Sequence, residues 1–280
     1  MHFDTLQSQT DARGVCTVWL NRPEKHNAMS EKMIADLTAM AAELRQSDVR
    51  VVVLLARGKS FCAGGDLRWM QAQMMADATS RAMGARSLAM MLYAWNTLPQ
   101  AVIGGIHGNA FGGGVGLASI CDVAVGVEGA LMGLMETKLG LIPATIGPYV
   151  IARMGEAFAR QVFMSSRMFT AVEAERFGLL AYVVPAEQLS TAVAAEVEPY
   201  LSCAPGAVGA AKALARALGP KIDTEVIEMT ISALILQWES LEATQGIAAF
   251  FDKSVSPWLP SPDEITGISE TTGRIAQSGR

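Results

Sequence analysis

Three histidines and four cysteines in 280 residues leave little material for metal or redox chemistry, and their spacing removes what remains. Cys16, Cys62, Cys121 and Cys203 are scattered, with no Cys-x-x-Cys pair and no histidine at ligand spacing. His2, His26 and His107 form no His-Glu-x-x-His site, so no metal is expected. Charge is sparse too: 18% of residues are charged and the net charge is −5, which leaves no basic field to attract nucleic acid. Long apolar runs are missing, so no membrane span is expected. Met1-His2-Phe3-Asp4-Thr5 lacks the charged and apolar regions of a secretory signal, and a cytoplasmic location is the expectation.

What is present is apolar and rich in glycine, at 51% hydrophobic residues and 26 glycines. A chain of this length is near the limit for one hydrophobic core, and the apolar excess points to buried subunit interfaces. Ala101–Ile106 reads as a buried strand, and His107-Gly108-Asn109-Ala110-Phe111-Gly112-Gly113-Gly114-Val115-Gly116 then turns into a helix whose first N–H groups lack partners. No G-x-G-x-x-G lies over residues 104–119 and no Gly-Lys-Ser/Thr follows, so neither a dinucleotide fingerprint nor a P-loop is present there. Two readings remain, an oxyanion hole for an acyl oxygen or a tight turn that only glycine can make.

A second strand repeats the arrangement. Val51–Ala56 is a β-branched run leading into Phe61-Cys62-Ala63-Gly64-Gly65-Asp66-Leu67. Two such strand ends side by side would supply two amides to one oxygen.

These segments, together with Asn21-Arg22-Pro23-Glu24-Lys25-His26-Asn27-Ala28, Glu136-Thr137-Lys138-Leu139-Gly140-Leu141-Ile142-Pro143 and the stretch from Ala174 to Pro185, occur in the order found in the crotonase (enoyl-CoA hydratase/isomerase) superfamily, which the chain resembles across residues 15–252. The resemblance implies an α/β spiral of ββα repeats followed by helices that form trimers or dimers of trimers. It implies an acyl-CoA thioester substrate, with coenzyme A as part of the substrate and no separate cofactor. The amides of Gly65 and Gly113 would hold the thioester oxygen, and Glu136 would exchange protons with the acyl chain. Substrate contacts are implied for Ala63, Asp66, Leu67, Trp69, Gly112 and Gly116, with Lys25, His26 and Lys253 near the CoA nucleotide.

Gly116 stands where hydratases of the family carry a second glutamate. Water addition divides naturally between two carboxylates, one handling water and one the α-carbon proton. Three functions therefore stand at this point: an enoyl-CoA hydratase, a Δ3,Δ2-enoyl-CoA isomerase working with Glu136 alone, and a non-catalytic CoA-thioester binder. Pro143-Ala144-Thr145-Ile146-Gly147-Pro148-Tyr149 is similar to methylglutaconyl-CoA and isohexenylglutaconyl-CoA hydratases, which favours a branched or glutaconyl-like substrate. Arg68 and Lys138 are candidates for a second substrate carboxylate, or simply solvated charges.

Local signals place further elements. Ser30 caps a predicted helix running to about Gln46, Val15–Leu20 and Val123–Val127 are predicted strands, and Thr170-Ala171-Val172-Glu173 has the form of a capping box. Helices are predicted at Val208–Leu218 and Glu225–Trp238. The expected division is a spiral core over 1–198, a helical oligomerisation region over 199–253 and an extended tail over 254–280. His107 and Asp122 read as scaffold residues. Trp69, Met70, Met74, Met75, Met83, Met90 and Met91 read as acyl-pocket walls or as helix packing.

Overall fold

The computed structural model describes residues 3–259, so His2 and the tail expected beyond Leu259 lie outside the described residues. Leu6–Thr10 (β1) pairs antiparallel with Val15–Leu20 (β2), and Glu31–Arg45 (α1) then leads to Val51–Ala56 (β3). Leu67–Met75 (α2) and Ala78–Asn96 (α3) precede Ala101–Ile106 (β4), which passes through Ala110–Phe111 (β5) into Gly113–Ser119 (α4). Val123–Val127 (β6), Leu131–Gly133 (β7), Gly147–Phe163 (α5), Phe169–Thr170 (β8), Ala171–Arg176 (α6) and Tyr182–Val184 (β9) follow. The rest is helical: Leu189–Leu201 (α7), Pro205–Leu218 (α8), Thr224–Trp238 (α9) and Leu241–Asp252 (α10).

The four apolar runs predicted as strands form the middle of a six-stranded sheet of order β1-β2-β3-β4-β6-β9, parallel everywhere except at β1–β2. β4 is buried along its whole length, as expected of a continuous apolar strand covered on both faces. A second layer is built from very short pieces, β5-β7-β8, extended by the single pairings Cys62↔Ala110 and Met29↔Gly65. Each turn of the α/β spiral thus contributes one long strand to the first sheet and one brief pairing to the second.

Ser30 accepts from Met33 N, and α1 buries Met33, Ile34, Leu37, Met40, Ala41 and Leu44, the stripe its spacing predicts. The Thr170–Glu173 capping box forms. Asp122 accepts from Val102 N at 2.8 Å and from Lys212 Nζ at 2.7 Å, which ties β4 to α8. The boundary expected at residue 198 falls inside α7, which packs on β3, β4 and β6. α7 covers the sheet as far as Leu201, and α8, α9 and α10 follow it. α8 buries no residue, and its Leu214 and Leu218 are 61% and 81% exposed. α9 rests Ile227 and Ile231 on Ala85 and Ala89 of α3, and α10 rests Ala243 and Ile247 on Leu141.

Gly114 tests this packing directly. A Cβ there would lie 2.6 Å from the Cys62 carbonyl oxygen, a backbone atom that cannot swing away. Gly114→Ala is expected to destabilise the fold by about 2–3 kcal/mol, read as a lower urea midpoint at unchanged slope.

Candidate active site

The site begins where β3 and β4 leave the sheet. Phe61 N and Cys62 N donate to the Asn109 carbonyl, and Phe111 N returns a bond of 2.9 Å to Cys62 O, so the loops after both strands are laced together. Gly64 and Gly112 carry φ of +91° and +45°, which side chains resist. A Cβ on Gly112 would sit 3.3 Å from Glu136 Oε1 and 3.8 Å from Gly64 Cα. Three segments far apart in sequence therefore meet at one glycine.

Both expected donor amides are spare. The Gly64 carbonyl accepts from Met29 N at 2.7 Å and Asp66 N donates to Met29 O at 3.0 Å, which fixes the peptides on either side of Gly65. Gly113 is the first residue of α4, where a helical N–H has no partner within the helix. Among the described residues neither the Gly65 nor the Gly113 N–H is hydrogen-bonded. Gly65, Gly112 and Gly113 are all partly open to solvent.

Glu136 opens a 3₁₀ turn, Glu136–Leu139, closed by Gly140 at φ +70°. Its carboxylate Oε2 is buried with no hydrogen-bond partner. Burial pushes its pKa up to about 7, offset in part by a bond from its own amide. The turn is held from several sides. Thr137 Oγ1 donates to Phe163 O at 3.2 Å and contacts the buried Ser166 hydroxyl, and Gln237 Nε2 donates to Gly140 O at 2.8 Å. α10 lies so close that a Cβ on Gly140 would be 2.5 Å from the Glu242 backbone, and one on Gly246 would be 2.7 Å from the Leu139 carbonyl carbon.

The other expected contacts divide. Trp69 and Met70 flank the Gly65 Cα, within 3.4–3.9 Å of where a Cβ would be, while Ala63 and Leu67 are exposed beside them. Met74 packs against the Leu141, Ala243 and Ile247 cluster, Met91 is in the main core, and Met75, Met83 and Met90 are exposed. His26 is exposed, with its ring nitrogen 3.2 Å from Ser60 Oγ, and Lys25 and Lys253 are exposed. His107 Nε2 bonds the Gly58 carbonyl at 2.9 Å.

Two residues expected at the substrate, Asp66 and Gly116, are buried. Asp66 is buried, its carboxylate accepting from Arg22 Nη2 at 3.0 Å and from Arg68 N at 2.9 Å as the α2 cap, so it is committed to the protein itself. Gly116 is buried inside α4, and a Cβ there would meet Ile146 Cγ2 at 2.7 Å and Leu92 Cδ1 at 3.6 Å. Ile146 occupies the space into which a longer side chain at 116 would grow. Sequence reasoning missed Ile146 in this role because 30 residues separate it from Gly116.

A spiral of strand–strand–helix units that brings spare loop amides to a buried glutamate is the architecture of a thioester-handling enzyme of the crotonase type. The model of the enoyl-CoA hydratase/isomerase family matches residues 10–260, and the chain belongs to that family, an enzyme of the crotonase superfamily. A Thermus thermophilus protein named for enoyl-CoA hydratase is 31% identical over 248 residues, covering 88% of this chain and 97% of its own. Among solved structures, an enoyl-CoA hydratase from Shewanella pealeana is 31% identical with a TM-score of 0.76, over 92% of this chain and 97% of its own. Pseudomonas aeruginosa AtuE is 33% identical with a TM-score of 0.75, over 91% and 99%. No helix among the described residues is long and apolar enough to cross a membrane. No group of three or more His, Cys, Asp or Glu residues there is arranged to hold a metal ion.

The buried carboxyl sets a pH dependence of stability. An unfolded glutamate releases its proton near 4.5, whereas folded Glu136 holds it to about 7, so between these values the folded state binds more protons and stability falls as pH rises. Glu136→Gln removes this term. Its stability relative to wild type is expected to grow from pH 5 to pH 8 by up to about 3 kcal/mol in urea titrations, and an unchanged difference would contradict the burial of the carboxyl.

Proposed function

We propose that the protein is an enoyl-CoA hydratase that adds water to an α,β-unsaturated acyl-CoA thioester, of a branched or glutaconyl-like kind. The observation that carries this reading is the meeting at Gly112 of two spare-amide loops with the buried Glu136 carboxyl. The Gly65 and Gly113 amides receive the thioester oxygen, drawing electrons from the double bond and stabilising the enolate; one such donor is worth about 3 kcal/mol in a transition state. Glu136 takes a proton from water as its oxygen bonds to the β-carbon, and the same carboxyl returns a proton to the α-carbon. A pKa near 7 suits both halves of that exchange.

The apolar filling of the space beside Gly116 by Ile146 also favours a second reading. A lone carboxyl can move a proton from the α-carbon of a 3-enoyl thioester to its γ-carbon through a dienolate held by the same amides, the isomerase reaction. An intact acid–base carboxyl speaks against a mere thioester binder. Trp69 and Met70 beside Gly65 support an apolar acyl group, and exposed Lys25, His26 and Lys253 suit the CoA phosphates. Coenzyme A enters as part of the substrate, with no further cofactor.

Turnover of a panel of straight, branched and glutaconyl-type enoyl-CoA thioesters, read by product mass, tests the reading. A gain of one water identifies the hydratase, and an unchanged mass with a shifted double bond identifies the isomerase. Glu136→Gln is expected to lose ~10²–10⁴-fold in kcat with thioester binding retained, and a variant of near-normal activity would remove Glu136 from the mechanism.

We also propose that residues 199–253 assemble the protein into a homotrimer or a dimer of trimers. The support is the apolar α8, which has no fully buried residue and leaves Leu214 and Leu218 exposed. Leu214→Glu with Leu218→Glu is expected to lower the mass seen by light scattering, and an unaltered oligomer would exclude this face.

A further inference from the structure

The Gly65 amide is aimed by backbone alone, so something must keep that backbone from rotating. Residues 22–29 supply the support. Asn27, fully buried at φ +53°, receives a 2.8 Å bond from Arg22 N on Oδ1 and sends its amide hydrogens to the carbonyls of Arg57 and Ser60 at 2.7 and 3.0 Å. Ala63 N donates to the His26 carbonyl at 3.0 Å, and Met29 both donates to Gly64 O and accepts from Asp66 N. The peptide that carries the Gly65 N–H and the peptide that follows it are both tied to this one segment.

Arg22 joins the two sides with charge. Its Nη1 donates to Ala28 O at 2.8 Å and its Nη2 to Asp66 Oδ2 at 3.0 Å. The pair is largely withdrawn from water, with side chains 18% and 11% exposed, where a guanidinium–carboxylate bond is stronger than at the surface. Burial alone would raise the Asp66 pKa, but the Arg22 guanidinium and the Arg68 amide hold it below its ordinary value. Asp66 is also the residue directly after Gly65 and the cap of α2, so one carboxylate fixes the Gly65 peptide, the start of α2 and the Arg22 segment together.

We propose that Arg22, acting through Asp66, is a positioning residue for the Gly65 oxyanion donor. Its guanidinium latches the segment 22–29 to the loop 63–66, and this sets the direction of the Gly65 N–H without touching substrate. The proposal rests on the reading of Gly65 as an oxyanion donor, and the test separates the two.

The test uses a cinnamoyl-type CoA thioester, whose absorbance moves to longer wavelength when its carbonyl is polarised, bound in a Glu136→Gln background so that no turnover occurs. Kinetics are measured with Glu136 intact on whichever enoyl-CoA thioester the enzyme turns over. Arg22→Met is expected to lose most of the red shift and ~30-fold or more in kcat, with KM changed less than about threefold, because a misaimed donor weakens the transition state more than binding. Arg22→Lys should fall between, since one ammonium cannot serve two acceptors in the geometry of the guanidinium fork. A purely structural role would lower melting temperature and active fraction while leaving the red shift per bound thioester and the kcat of the folded fraction as in wild type, and that result overturns the latch. If Arg22→Met does not fold, Asp66→Asn decides by the same readouts, since asparagine keeps the α2 cap but loses the charge pair. A missing red shift with Arg22 and Asp66 both intact overturns the carbonyl-binding reading itself, and the latch with it.

Discussion

Gly112 has no side chain because the space where one would lie is already bounded by the Glu136 carboxylate and the Gly64 backbone. That contact ties the ends of β3 and β4 to the turn that carries Glu136. It holds because the strands beneath are in fixed parallel register, Val51 opposite Ala101 through Leu54 opposite Gly104, and the loops leave the sheet at matched heights. The small second layer then laces them, two residues at a time. Amides with no protein acceptor and a carboxylate oxygen, Glu136 Oε2, with no protein donor are thereby brought near one another, each unsatisfied until something polar enters.

Burial raises the pKa of Glu136, and the bond from its own amide opposes it only in part. The surroundings of Gly65 are built on the opposite principle. Charge is concentrated beside that loop, in the Arg22–Asp66 pair. The Glu136 carboxyl is set by a scarcity of partners and the loop around Gly65 by an abundance of them.

Much of the frame was legible in the sequence because its signals are local. β2, β3, β4 and β6 occupy the residues their apolar runs define, α1 starts at its serine cap, and α6 starts at its capping box. β1 was not legible: in Leu-Gln-Ser-Gln-Thr only Leu6 is buried, as suits an edge strand with a solvated face. The two-residue strands β5 and β8 are too short to carry any period. Around the site, glycine spacing marked the loops, and family resemblance marked Glu136. What neither marked were relations across the fold, such as Arg22 with Asp66 over 44 residues and Gly116 with Ile146 over 30. A carboxylate beside a glycine loop, as Asp66 is, carries no sequence mark of its partner.

The docking of α10 on the Glu136 turn ties the site to the order in which the chain is made. The Arg22 segment is made before the glycine loops and Glu136, and the helix that packs on Leu139 and Gly140 comes only after residue 240. Contacts separated by so much sequence close slowly, since the loop entropy must be met before they form. A chain still short of residue 240 therefore carries the Glu136 turn without the helix that packs on it.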